Sequence, residues 1–150
     1  MSLQYQFITY INATPEQVWQ TLVSPEGSRA CFFGSTLQST FEVGSPYQYV
    51  GPGKDGDETV HVYGEILAFE PNRLFSATEH PGPSYNPRHA ELETRYTFTL
   101  EPVGDTTKLT LVSEILTPDH PFSESFKETW PMILSSIKTF AETGKTLNFG

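Results

Sequence analysis

The chain has 150 residues, enough for one domain with a single sizeable core. Its 18 acidic against 9 basic residues leave a formal charge of −9, and no run of Lys or Arg interrupts that balance. This excludes the basic patches that nucleic acids and anionic membrane surfaces demand. One cysteine, Cys31, can form no internal disulfide, which fits a reducing compartment. The first dozen residues, MSLQYQFITYIN, have neither the basic region nor the apolar run of a signal peptide. These features predict a soluble cytoplasmic protein whose single domain spans residues 1–150.

Residues 5–11 are aromatic and β-branched and read as a strand. Thr14-Pro15-Glu16-Gln17 opens a short helix, with Thr14 as cap, Pro15 at the first helical position and Gln17 completing a capping box. Val18, Trp19 and Leu22 form its apolar side, and Ser24-Pro25 ends it. A second brief helical turn over 25–29 precedes Cys31-Phe32-Phe33. From Leu37 the period changes to two, and a strand carrying Leu37, Ser39 and Phe41 leads to a turn at 43–46. Tyr47 and Tyr49 share a face of the next strand. A Gly-rich connection at 51–56 follows, then a strand with Val60, Val62, Gly64 and Ile66 on one side.

After a turn at Glu70-Pro71-Asn72, Leu74, Ser76, Thr78 and His80 share one face. The Pro-rich stretch 80–89 is too long for a tight hairpin and is read as a lid carrying Pro83, Tyr85 and His89. Leu92, Thr94, Tyr96, Phe98 and Leu100 then alternate with charged and hydroxyl residues, the pattern of a sheet wet on one side. Leu109, Leu111, Ser113 and Ile115 point inward from the strand over 108–116. Residues 123–143 place Phe126, Trp130, Ile133, Leu134, Ile137, Phe140 and Ala141 on one arc of a helix. Gly144 stops that helix, and Pro131 inside it predicts a kink or a fresh start. About six antiparallel strands followed by one long amphipathic helix indicate an α+β fold in which that helix covers the dry face of the sheet.

Three stretches carry a resemblance: INATPEQVWQTLVSPEG at 11–27, VYGEILAFEPNRLFSATEH at 62–80 and TWPMILSSIKTFAETGKTL at 129–147. Together they resemble the START-like, helix-grip (SRPBCC) superfamily, and within it the branch named after the C-terminal domain of the activator of the heat-shock protein 90 ATPase. The resemblance implies a curved antiparallel sheet of six to seven strands gripping the last helix, two short helices after the first strand, and a cavity between sheet and helix. Relatives usually carry large aromatics where this chain has Ser76 and Thr78, which implies a roomier, more polar cavity. Full-length activators also have a separate N-terminal domain. This chain leaves no room for it, which weighs against a direct chaperone partner.

The expected lining of that cavity is Phe33, Tyr47, Tyr49, Val62, Ser76, Thr78, His80, Tyr96, Phe98, Leu111, Trp130, Leu134 and Ile137. Its natural occupant is a small hydrophobic or amphipathic molecule, bound without turnover. A cyclase-like or hydrolase-like enzyme using Tyr96 or His80 for proton transfer is the first alternative. A chaperone-associated binding module is the second, and neither excludes a homodimer. No metal-ligand spacing, phosphate loop, dinucleotide fingerprint or nucleophile elbow occurs among His61, His80, His89, His120 and the rest of the chain, so no metal, cofactor or catalytic residue is expected. Arg95 has the outward phase and balances a neighbouring strand. Cys31 reads as a buried, inert thiol.

Overall fold

The computed structural model describes residues 3–149; Met1, Ser2 and Gly150, which the single-domain reading also includes, lie outside the described residues. Strand β1 (Leu3–Ile11) leads to helices α1 (Pro15–Val23) and α2 (Pro25–Cys31). Six strands follow: β2 (Thr36–Ser39), β3 (Pro46–Pro52), β4 (Glu58–Glu70), β5 (Leu74–Pro81), β6 (Thr94–Val103) and β7 (Thr106–Ile115). Helix α3 (Phe126–Thr143) ends the fold. The strands form one antiparallel sheet in the order β1-β7-β6-β5-β4-β3-β2. Since β1 and β2 occupy opposite edges, α1 and α2 carry the chain from one edge to the other. The result is the expected α+β helix-grip architecture, with the sheet curved around α3.

Local chemistry accounts for these boundaries. The Thr14 hydroxyl accepts from the Gln17 N–H at 3.1 Å while the Gln17 side chain accepts from the Thr14 N–H at 2.9 Å, a complete capping box. Ser24 ends α1 and caps α2, accepting from the Gly27 N–H at 3.0 Å. Strand β2 stops at Ser39, short of Phe41, whose positive φ of 61° breaks the expected extension. Bulges between Tyr49 and Val50 and between Ile66 and Ala68 bend the sheet and let Phe69 join Phe75 on its inner face.

Helix α3 runs unbroken through Pro131, without the fresh start expected there, and Gly144 ends it at φ 76°. Phe126, at its first position, replaces the earlier start expected at 123, because turns over 120–125 lead into it. Trp130, Ile133, Leu134 and Ile137 are buried, and Phe126, Phe140 and Ala141 pack against the same core. The helix rests on α1, α2 and β1. An aromatic series crosses the interior: Trp19 lies 5.1 Å from Phe69 and 6.3 Å from Phe75, Phe75 lies 6.0 Å from Tyr96, and Tyr96 lies 5.7 Å from Trp130. On the wet face, Arg95 pairs with Glu114 of β7 at 2.5 Å.

Two contacts fasten the far end of α3 to β1. Glu142 accepts from the Asn12 N–H at 2.8 Å, and Lys138 donates to the Tyr10 carbonyl at 2.6 Å and to Glu142 at 2.7 Å. The Asn12 N–H first, and Lys138 second, hold the Glu142 carboxyl below its ordinary range. Its contribution to stability is therefore present above the unfolded value of 4.5 and lost as pH falls below it. Glu142→Gln lowers stability by less than about 1 kcal/mol at neutral pH, and denaturant melts of the two proteins converge in acid. Leu134→Ala, which empties part of the core, costs about 2–5 kcal/mol in the same melts.

Candidate functional site

The two halves of α3 meet the sheet differently. Toward its C-terminus, Ile137 is fully buried in the cluster that holds Leu109, Leu111, Phe98 and Leu100. Toward its N-terminus, a recess of about 440 Å³ opens between the helix and the sheet. That volume falls within the roughly 300–1,000 Å³ of small-molecule sites. Phe126, Thr129, Trp130 and Ile133 of α3 form one wall, with His120 and Phe122 from the segment before it. Tyr49, Val62, Pro81 and Tyr96 form the sheet side. Phe32 and Ser35 after α2 close a third side.

The mouth is built by a left-handed turn. Phe33 has φ 52° and Gly34 φ 85°, which swings the Phe33 ring outward to 58% exposure, 6.4 Å from the ring of Phe149. Phe32 is left facing in, its ring 4.7 Å from that of Tyr49. Opposite, Tyr85 reaches over from the loop after β5 and donates to His61 Nδ1 at 2.5 Å. His61 Nε2 in turn donates to the Pro52 carbonyl at 3.1 Å. The loop is held again where Tyr63 Oη and His89 Nδ1 share a hydrogen bond of 2.6 Å. Of the three residues expected in a lid, Tyr85 borders the recess; His89 is tied to Tyr63, and Pro83 is not in the lining.

Of the expected lining, Phe33, Tyr49, Val62, Tyr96 and Trp130 border the recess. Phe98, Leu111, Leu134 and Ile137 belong to the packed core instead. Tyr47 lies behind the recess. Its hydroxyl crosses Gly64 and donates to the Thr78 carbonyl at 2.6 Å. A Cβ at Gly64 would come 2.1 Å from that carbonyl oxygen and 2.8 Å from the Tyr47 ring, so only glycine lets this bond form.

Strand β5 has the phase opposite to that expected. Phe75 is registered with Phe98 and Ala77 with Tyr96, so the inward residues are Phe75, Ala77, Glu79 and Pro81. Ser76 bonds Thr97 on the outer face at 2.9 Å. Thr78 accepts from the Glu65 N–H at 2.9 Å. His80 stacks on Tyr63 at 5.0 Å and donates to the Leu92 carbonyl at 2.9 Å. The polar and roomier lining attributed to Ser76 and Thr78 is therefore corrected: the inward polar group of this strand is Glu79.

Glu79 is enclosed by protein except where it borders the recess, and it accepts from the Thr94 hydroxyl at 2.7 Å. Burial raises its carboxyl above the ordinary range, with the Thr94 bond opposing. Burial likewise pushes the phenols of Tyr47, Tyr49 and Tyr96 well up, and the Glu79 charge adds to each, so all three remain protonated. The Tyr47 and Tyr49 hydroxyls lie close enough to bias Tyr96 but do not meet it in hydrogen-bond geometry.

Three buried polar atoms on residues that border the recess lack a partner: Tyr96 Oη, Trp130 Nε1 and His120 Nε2. His120 Nδ1 accepts from the Phe122 N–H at 3.2 Å, and burial lowers its pKa, so the neutral ring carries its hydrogen on Nε2. Each unpartnered group costs about 1–3 kcal/mol. Glu79, Thr94 and His120 were missed in sequence. Thr94 and Glu79 were readable, since each shares an inward phase with an aromatic, Tyr96 and Phe75. His120 sits in an irregular segment that offers no period. Cys31 is buried, its thiol pushed up to about 12, and is no nucleophile. Among the described residues, no three His, Cys, Asp or Glu side chains come together as a metal cage.

Among solved structures that share the architecture, a protein from Arthrobacter aurescens gives a TM-score of 0.77 at 18% identity, covering 93% of this chain and 86% of its own. A protein from Cytophaga hutchinsonii gives 0.70 at 27% identity over 92% of each chain. The Aha1 dimer from Colwellia psychrerythraea gives 0.71 at 19% identity, over 95% of this chain and 98% of that one. No curated protein matches the chain in sequence. The model of the activator of Hsp90 ATPase homolog 1-like proteins matches residues 12–142, and the chain belongs to that family.

Proposed function

We propose that this protein binds a small hydrophobic or amphipathic molecule in the recess under the N-terminal half of α3, without transforming it. The observation that carries this reading is the coincidence of an aromatic-walled space of about 440 Å³ with unpartnered polar groups around it. A core packed for stability alone leaves neither. The fold family commonly binds hydrophobic ligands, which supports the same reading. The cyclase-like or hydrolase-like alternative loses His80, whose imidazole lies on the outer face, and retains Tyr96 as a proton donor.

A chaperone-associated role is the second reading, favoured by the family description and by the likeness to the Aha1 dimer. It places function on the surface and is compatible with self-association. Under it, the chain stimulates the ATPase of a purified Hsp90-class chaperone, and filling the recess leaves that stimulation intact.

Val62→Trp tests the first reading directly. Val62 is half-buried at the recess wall, and the indole extends into the space. The expected outcome is a loss of affinity for an apolar fluorescent probe of about ten-fold or more, with little change in melting temperature. Thr99→Trp, on the outer face of β6, leaves probe affinity unchanged. Equal affinity in folded Val62→Trp and wild type overturns the reading.

A further inference from the structure

We propose that the recess selects a hydrophobic molecule bearing a protonated nitrogen, and that Glu79 is the counter-ion it meets. This rests on the binding reading above and assigns the chemistry of the ligand's polar end.

The recess holds one carboxylate beside two imidazoles, His61 and His120, and its remaining titratable groups are phenols. Glu79 contributes a carboxylate, and no Lys or Arg borders the space. Glu79 has no ion-pair partner among the described residues, and its one hydrogen bond comes from a neutral hydroxyl, Thr94 Oγ1 at 2.7 Å. Thr94 satisfies part of the carboxylate and leaves the rest to the recess. Removing a carboxylate from water without a cation is unfavourable by several kcal/mol. An ammonium group brought in by a ligand supplies the missing partner. A carboxylate ligand places like charge beside it.

The walls point the same way. Tyr49, Tyr96 and Trp130 present rings around the space, with Tyr96 and Trp130 5.7 Å apart at an interplanar angle of 52°. Aromatic faces attract ammonium groups by about 0.5–2 kcal/mol, more when water is excluded. The net charge of −9 also draws cations toward the molecule over long range. Groups facing Glu79 from neighbouring elements are the neutral phenols of Tyr47 and Tyr49 on β3 and Tyr96 on β6, with Thr94 beside them. None offers a competing positive charge. Burial raises the Glu79 carboxyl above its ordinary range, and a paired ammonium shifts it back down.

The test uses three probes sharing one apolar body: naphthylmethylamine, naphthylmethanol and naphthylacetate, titrated calorimetrically into the full chain at neutral pH. The expected order is the amine bound roughly ten-fold or more tighter than the alcohol, and the carboxylate weakest. Glu79→Gln keeps the shape and the Thr94 bond, and brings the amine to the level of the alcohol. Because His61 and His120 also border the recess, pH dependence is read as a difference between the two proteins. Amine affinity falls in wild type as pH is lowered through the raised titration of Glu79, beyond any fall in Glu79→Gln. Should Glu79→Gln fail to fold, the order of amine, alcohol and carboxylate in wild type decides the matter. Equal binding of amine and alcohol, or tighter binding of the carboxylate, overturns charge selection and leaves the binding reading standing. Binding of none of the three at millimolar concentration overturns both.

Discussion

The contact between Trp130 of α3 and Tyr96 and Phe98 of β6 organises this molecule. The indole sits 5.7 Å from one ring and 6.0 Å from the other, buried to 3% exposure. It divides the interior in two. On the side of Ile137, helix and sheet are packed solid. From Phe126 as far as Ile133, the same helix borders the recess. Offset and edge-on aromatic pairs add about 0.5–1.5 kcal/mol each beyond the area they bury. A wedge of this kind anchors the helix firmly while half of its inner face is spared from packing. Pro131 follows at once, so the turn that loses a backbone hydrogen bond is also the turn nearest the open side.

Polar groups follow the same division. Five buried side-chain polar atoms among the described residues lack a partner, and three of them belong to Tyr96, Trp130 and His120 around the recess. Native interiors hold few such groups, because each is unfavourable by about 1–3 kcal/mol. The three on recess residues fit the proposed binding reading, in which stability is traded against function. Away from the recess, Thr107 donates to the Ala13 carbonyl at 2.7 Å in full burial, while Tyr5 Oη and Ser113 Oγ are the other two unpartnered atoms.

Periodicity made most of the fold legible. The alternation from Thr94 to Leu100, the arc from Phe126 to Ala141, and the Thr14–Gln17 capping box each read directly as the element that forms. The recess was less legible, for two physical reasons. First, the inward phase of β5 carries Phe75, Ala77, Glu79 and Pro81, and a carboxylate in that series argues for the wet side, since charged residues are almost never buried unpaired. The opposite face, with Ser76, Thr78 and His80, is the one read as inward. The rule fails here because Glu79 borders a space rather than a packed core. Second, no local pattern distinguishes a helix residue that touches the sheet from one that faces a gap. Ile133 and Ile137 lie one turn apart on the same stripe, yet only Ile133 borders the recess, and His120 reaches it from a segment with no period at all.

An apolar recess alone discriminates poorly. Burial contributes about 25 cal/mol for each Å² removed from water, whatever the molecule, so ligands of similar size gain similar amounts. Selection needs groups whose satisfaction differs between ligands, and it is strongest where a buried group is left unpaired by the wrong one. Under the proposed binding reading, affinity and selectivity fall on different residues. Phe32, Tyr49, Phe126 and Trp130 supply area to any guest. Glu79 is partly withdrawn from bulk water by the fold, so part of its desolvation precedes a ligand's arrival. A guest that pairs with it recovers much of that cost, and one that does not leaves the cost in place.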